Sequence, residues 1–239
     1  MIAVAVGYRR GEYPHFLTDS AQAIKWVKEN IASLGGDVSN VFLSGHSAGG
    51  HIASLLNVRH EHFLAPLGIE LNFIKGLILV SGVYSLFSPL SKRLLDVKNK
   101  AFVLLYVLPS FGSDPQLRRE ASPLILLAPD DTDTTLLGSV AMAVHKAVGC
   151  TAEEQGRKEN RRVAEGCFVN TAHLPPTLIF NATFDMGLEA DGIRMAKAMA
   201  KFTEVEYKVI EGSDHGSVCR SQQTNSEIAR FVNKIWKGP

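Results

Sequence analysis

Val41-Phe42-Leu43-Ser44-Gly45-His46-Ser47-Ala48-Gly49-Gly50-His51-Ile52 is the stretch from which the fold can be read. A short apolar run, Val41 to Leu43, stops at Gly45, and a small-residue segment, Ala48 to Ala53, follows as the start of a helix. Between them a single hydroxyl, Ser47, sits in a Gly-x-Ser-x-Gly frame. A strand that reverses directly into a helix holds its turn residue in strained backbone geometry and lifts that side chain above the sheet. Gly45 and Gly49 flank the turn, and a β-carbon at either is expected to collide with the neighbouring strand and helix. Ser47 then stands at a helix N-terminus, where backbone N–H groups can stabilise an oxyanion. The five-residue pattern also arises by chance; the strand before it and the helix after it supply the context that gives it meaning.

Working outward, the 239 residues make one domain with room for an insertion and a full core. Hydrophobic residues are 46% and charged residues 21%, and the net charge of +1 gives no reason to expect nucleic acid or an acidic membrane surface as partner. No apolar run reaches membrane-spanning length, and the start, Met1 to Val6, lacks the basic region and cleavage site of a signal peptide. Cys150, Cys167 and Cys219 are sparse, odd in number and without metal-ligand spacing, so reduced thiols and a cytoplasmic location are expected.

Ile2 to Val6 reads as a buried parallel strand, broken by Gly7 to Gly11 and Pro14. Asp19 or Ser20 is a candidate cap for the next helix, whose apolar positions are Ala23, Ile24, Val27 and Ile31, with Trp26 and Leu34 extending the buried side. Gly35-Gly36-Asp37 ends it and leads into the Val41 strand. After a helix over about Ala48 to Asn57, Ile74 to Val80 is another apolar strand, ending at Ser81-Gly82. This alternation predicts an α/β protein with a mostly parallel sheet flanked by helices. From Tyr84 to Leu174 no strand is evident, only helical patterns such as Lys92 to Leu108 and Leu136 to Val148. So long an interval is not a loop, and residues 84–174 are read as an inserted helical cap, with 1–83 and 175–239 as the core. Asp130, Asp131 and Asp133 and the polar run Thr151 to Arg162 read as solvated surface. The sheet resumes at Leu178 to Asn181, and a helix bearing Ile193, Ala196, Met199 and Ala200 follows. A strand at Val205 to Ile210 and a closing helix over about Asn225 to Trp236 complete the chain.

A serine hydroxyl needs a base to become a nucleophile, and the base needs an orienting acid. Asp185 follows the Leu178 strand and His215 the Val205 strand. In an open α/β sheet, strand C-termini share one edge, where Ser47 also emerges. Asp185 has a bland reading as a helix cap, a role Asp191 could also fill, and His215 as a surface-turn histidine, as expected for His60, His62 and His173. Asp214 competes as the acid but, as the immediate neighbour of His215, is poorly placed to reach its Nδ1. His46 and His51 are assigned packing roles, and no metal or cofactor site is read.

Gly7-Tyr8-Arg9, Pro14, Asp19, Trp26, the Gly35-Gly36-Asp37 turn and Gly45-His46-Ser47-Ala48-Gly49-Gly50-His51 resemble the esterase/lipase branch of the α/β-hydrolases. That branch includes hormone-sensitive-lipase-like carboxylesterases, prenylcysteine methylesterase-like proteins and kynurenine formamidases. Ile74 to Tyr84, Asp114-Pro115 to Ser122-Pro123 and Pro175 to Leu178 fit it as well. The resemblance implies Ser47 as nucleophile, His215 as base, Asp185 as acid and the Ala48 N–H as an oxyanion donor. Members of the branch also carry a His-Gly-Gly-type loop upstream of the Tyr-Arg segment, and its strand lies between the one matching Ile2–Val6 and the Val41 strand. None precedes Met1, so the expectation is an N-terminally shortened member with a gap or rearranged pairing in the sheet.

Three functions follow: hydrolysis of a small carboxylic ester through an acyl-enzyme on Ser47, hydrolysis of an aryl formamide by the same residues, or a binding protein that keeps the fold without turnover. The substrate is a small molecule in the first two, and acyl and alcohol specificity and oligomeric state are not encoded in any motif.

Overall fold

The computed structural model describes residues 1–86, 107–112, 114–129, 166, 169 and 171–236. The predicted helix over Leu136 to Val148, nearly all of that over Lys92 to Leu108, the Asp130 to Asp133 cluster, the Thr151 to Arg162 run, Cys150 and Cys167 lie outside the described residues.

Among the described residues, four strands, β1 (Val41–His46), β2 (Ile74–Val80), β3 (Thr177–Phe184) and β4 (Val205–Asp214), form a sheet in the order β1-β2-β3-β4. All three pairings are parallel. Parallel strands need long crossovers, which the helices provide. These are α1 (His15–Asn30), α2 (Ala48–Val58), α3 (His60–Phe63), α4 (Leu108–Phe111), α5 (Pro115–Glu120), α6 (Pro123–Leu127), α7 (Leu188–Met199) and α8 (Gln222–Ile235). Strand side chains alternate between faces. Leu77, Leu79 and Ile179 join α1, α2, α6 and α7 in one core, while Ile78, Val80, Leu178, Phe180 and Ala182 meet Phe231 of α8 on the other face. Both faces are covered, which is why β2 and β3 read as continuous apolar runs.

Several expectations are corrected. Ile2–Val6 forms no strand: Ile2, Val4 and Val6 are 45%, 43% and 39% exposed. β1 is hydrogen-bonded only to β2 among the described residues, and a strand exists only where a neighbour completes its ladder. The segment instead runs beside Gly36, near Ile2, and is tied to α1 by a fork of hydrogen bonds from Arg9 to Asp19. Asp19 therefore does not cap the helix; α1 starts earlier, at His15, and Ser20 donates to the Phe16 carbonyl within it. Trp26 is exposed, because the buried stripe of α1 runs through Phe16, Leu17, Ala21 and Ile24, and Leu34 is exposed at the end of the short turn Ile31–Leu34 that follows α1. Ile193 likewise faces outward, the buried side of α7 being Leu188, Gly192, Met195 and Met199. Within 84–174, Tyr84, Phe111 and Leu124 are buried in the main core.

Candidate active site

The site is assembled by strand register. His46 pairs with Val80, so Ser47 and Ser81 leave the ends of β1 and β2 side by side. On the other side, an irregularity after Ala182 brings Phe184 opposite Asp214, so Asp185 and His215 leave β3 and β4 together. Four residues from four strand ends thereby meet at one edge.

Ser47 has φ 55° and ψ −116°, a conformation that L-residues rarely adopt. Its N–H donates to the Val80 carbonyl at 2.9 Å, and its own carbonyl accepts the His51 N–H at 3.1 Å as the first turn of α2 closes. The turn is tight at Gly45, where a β-carbon would lie 2.1 Å from the Gly49 carbonyl oxygen. The expected collision at Gly49 is absent, with nothing within 4 Å of a β-carbon there. The second close approach falls on Gly50, whose β-carbon would lie 2.9 Å from the Gly82 Cα.

His215 Nε2 lies 3.0 Å from Ser47 Oγ, and His215 Nδ1 lies 2.7 Å from Asp185 Oδ1. A carboxylate only accepts, so the imidazole proton sits on Nδ1 and donates to Asp185. Nε2 is then a lone pair, and the Ser47 hydroxyl donates to it. Asp185 is fully buried. Burial would push its carboxyl upward, but hydrogen bonds from His215, Ser81, Asn181 and the Ala182 N–H outweigh this and hold it below the usual carboxylate value. Three of these donors converge on Oδ2: Ser81 Oγ at 2.7 Å, Asn181 Nδ2 at 2.5 Å and the Ala182 N–H at 3.1 Å.

Asp214 is occupied elsewhere. Its Oδ1 accepts from the Ser217 N–H at 2.8 Å and the Gly216 N–H at 2.9 Å, closing the turn that carries His215. Those bonds, the Ser217 N–H first, lower its carboxyl value. Asp191 is buried and pairs with Arg194 inside α7. His46 does more than pack: its ring lies 4.8 Å from that of His215, and its Nε2–H donates to the His215 carbonyl at 2.7 Å. Burial above all draws the His46 imidazole below its ordinary value. His51 is buried and donates through Nε2–H to the Ala121 carbonyl at 2.7 Å, and burial lowers it to about 4. His62 and His173 are exposed, but His60 is only 4% exposed, because α3 continues directly from α2 and turns it inward.

The partners of Asp185 were not singled out from sequence. Ser81 carried only the signal of a polar residue ending an apolar strand, and Asn181 looked like the last residue of its own. Among the described residues, no three His, Cys, Asp or Glu side chains are grouped to hold a metal ion. Nor is any helix of the described residues long and apolar enough to cross a membrane.

A family profile described as alpha/beta hydrolase fold matches residues 1–219. Over 58 residues the chain is 45% identical to carboxylesterase NlhH of Mycobacterium tuberculosis, a match covering 23% of this chain and 18% of that protein. Against esterase LipQ of the same species it is 25% identical over 226 residues, 92% of this chain. That match takes in 51% of LipQ, so the chain spans about half the length of this relative. Among solved structures, Thermogutta terrifontis esterase 2 phosphoramylated by tabun superposes with a TM-score of 0.56 at 22% identity, covering 95% of this chain and 67% of that one. A Pyrobaculum calidifontis esterase superposes with a TM-score of 0.53 at 17% identity, covering 95% and 63% respectively. Likeness at these identities shows a shared fold.

Proposed function

The chain belongs to the α/β-hydrolase family, matched over residues 1–219, and on that premise we propose that it hydrolyses a small carboxylic ester through an acyl-enzyme on Ser47. The observation that carries this reading is the continuous line Ser47 Oγ, His215 Nε2, His215 Nδ1, Asp185 Oδ1, with separations of 3.0 and 2.7 Å at its two hydrogen bonds.

In this reading His215 Nε2 takes the hydroxyl proton as Ser47 Oγ forms a bond to the ester carbonyl carbon, and the carbonyl π pair moves onto oxygen. The Ala48 N–H, at the start of α2 where helix amides lack intrahelical acceptors, donates to that oxyanion. As the oxyanion collapses, the C–O bond to the alcohol breaks and Nε2–H protonates the leaving oxygen. Water then repeats the sequence on the acyl-enzyme and frees the acid. Asp185 keeps the proton on Nδ1 and stabilises the imidazolium in each half.

Residues 84–174 form the inserted cap in this proposal, rooted in the core through Phe111 and Leu124. Cys219 is an exposed free thiol, which suits a reducing compartment, and we place the protein in the cytoplasm. The carboxylesterase and esterase relatives support ester hydrolysis as the reaction.

The test is to treat wild type and Ser47→Ala with a fluorophosphonate probe and to assay short acyl aryl esters beside an N-formyl aromatic amine. Wild type should label at Ser47 and turn over the ester faster than the formamide. Ser47→Ala should lose labelling and about a millionfold in kcat while folding normally. Labelling at another residue, or turnover retained in the alanine variant, would remove Ser47 from its role.

A further inference from the structure

We propose that Ser81 is a positioning residue, whose hydroxyl holds the Asp185 carboxylate in the orientation that turns Oδ1 toward His215. The inference rests on the acyl-enzyme reading and adds to it a residue outside the Ser47, His215 and Asp185 line.

Ser81 follows the last residue of β2, and its N–H donates to the Phe180 carbonyl at 2.8 Å, which extends the β2–β3 ladder by one bond. It is fully buried and has φ 48°, in the left-handed region that favours glycine. A non-glycine residue kept there is strained, and such strain persists where the surroundings or function require the side chain. The next residue is already Gly82, so glycine at 81 would have been the relaxed backbone choice. What serine supplies is the hydroxyl, and that hydroxyl donates to Asp185 Oδ2 at 2.7 Å.

The arrangement around Oδ2 explains why the bond matters. Ser81, Asn181 and the Ala182 N–H leave no other orientation of the carboxylate that satisfies all three donors, so Oδ1 is directed at His215 Nδ1. Asn181 lies against α7, where a β-carbon at Gly192 would be 1.9 Å from its Oδ1. Its NH2 faces Asp185 because a carboxylate only accepts. Ser81 and Asn181 act from the ends of β2 and β3, the two central strands of the sheet, so the acid is held by its most rigid part.

The test uses Ser81→Gly and Ser81→Ala. Glycine removes the β-carbon with its hydroxyl and relieves the backbone strain, whereas alanine removes the hydroxyl alone and keeps the strain, so the glycine variant should fold with a melting temperature close to that of wild type. Its kcat on an aryl ester should fall about ten- to hundredfold with KM unchanged, the size expected for one hydrogen bond to a charged group. The low-field proton resonance of His215 Nδ1–H should shift in both variants, a readout that needs no turnover. Wild-type kcat and an unmoved resonance in a folded Ser81→Gly variant would overturn the proposal. If wild type turned over no ester and Ser47 failed to label, the acyl-enzyme reading would fall, while the resonance would still decide whether Ser81 positions the acid.

Discussion

Replacing Asp185 with asparagine tests the site at its most constrained atom. The Asp185 carboxylate accepts three hydrogen bonds at Oδ2 and one, from His215 Nδ1–H, at Oδ1. An asparagine there has one acceptor and one NH2 group to distribute. Turning the NH2 toward Ser81, Asn181 and the Ala182 N–H sets donor against donor at a buried site, at about 1–3 kcal/mol for each group left unpaired. The amide will therefore give its oxygen to that side and its NH2 to His215. A donor facing Nδ1 forces the imidazole proton to Nε2, and an Nε2–H cannot accept the Ser47 proton. The variant also lacks the charge that stabilises the imidazolium. Loss of this tautomer costs about ten-thousandfold in kcat, or roughly 5.5 kcal/mol of transition-state stabilisation. Asp214→Asn is the control. All three bonds to the Asp214 side chain, from Gly216 N–H, Ser217 N–H and Ser217 Oγ, reach Oδ1, and an amide oxygen can accept all three. That variant should stay within about tenfold of wild type. The assay is steady-state turnover of a short acyl aryl ester, with circular dichroism to show that both variants fold. A loss below tenfold in Asp185→Asn, or a larger loss in Asp214→Asn, would refute the reasoning and move the acid.

Three further outcomes follow from the structure. His51 is buried with its imidazole lowered to about 4, against about 6.5 when unfolded, so the unfolded chain binds the extra proton between those values. Its contribution is fully present above pH 6.5 and is lost at about 1.4 kcal/mol per pH unit as pH falls toward 4; denaturant melts at several pH values should show a slope flatter by that amount in His51→Gln, and equal slopes would contradict it. Gly45→Ala places a β-carbon 2.1 Å from a backbone oxygen and should destabilise by more than about 3 kcal/mol or prevent folding. Gly49→Ala meets nothing within 4 Å and should be neutral or stabilise by up to about 1 kcal/mol, so thermal melts that rank the pair the other way would undo the account of the turn. His46→Leu removes the donor to the His215 carbonyl, and kcat should fall severalfold while His46→Gln, which can still donate, recovers most of it; equal losses in the two variants would argue for ring packing instead.

Much of this protein was legible in its sequence because the signals are local. An apolar run ended by glycine and followed by small residues marks Ser47 at a strand-to-helix turn whatever the rest of the chain does. Apolar runs broken at Asp185 and before His215 mark two more strand ends, and in a parallel sheet strand ends share an edge. Tertiary structure decided everything that depends on a neighbour. Ile2–Val6 has the composition of a buried strand but forms none, since a strand requires a partner ladder that no property of its own residues supplies. Trp26 and Ile193 are apolar, yet they lie off the faces through which α1 and α7 happen to pack. His60 is buried and His62 exposed only because of how α3 turns after α2. The hold on Asp185 was least legible of all: Ser81 lies 104 positions away in the chain, and the two meet because adjacent parallel strands end at the same level. Chemistry confined to a few consecutive residues is written in the sequence, whereas chemistry between strand ends exists only once the sheet's register is set.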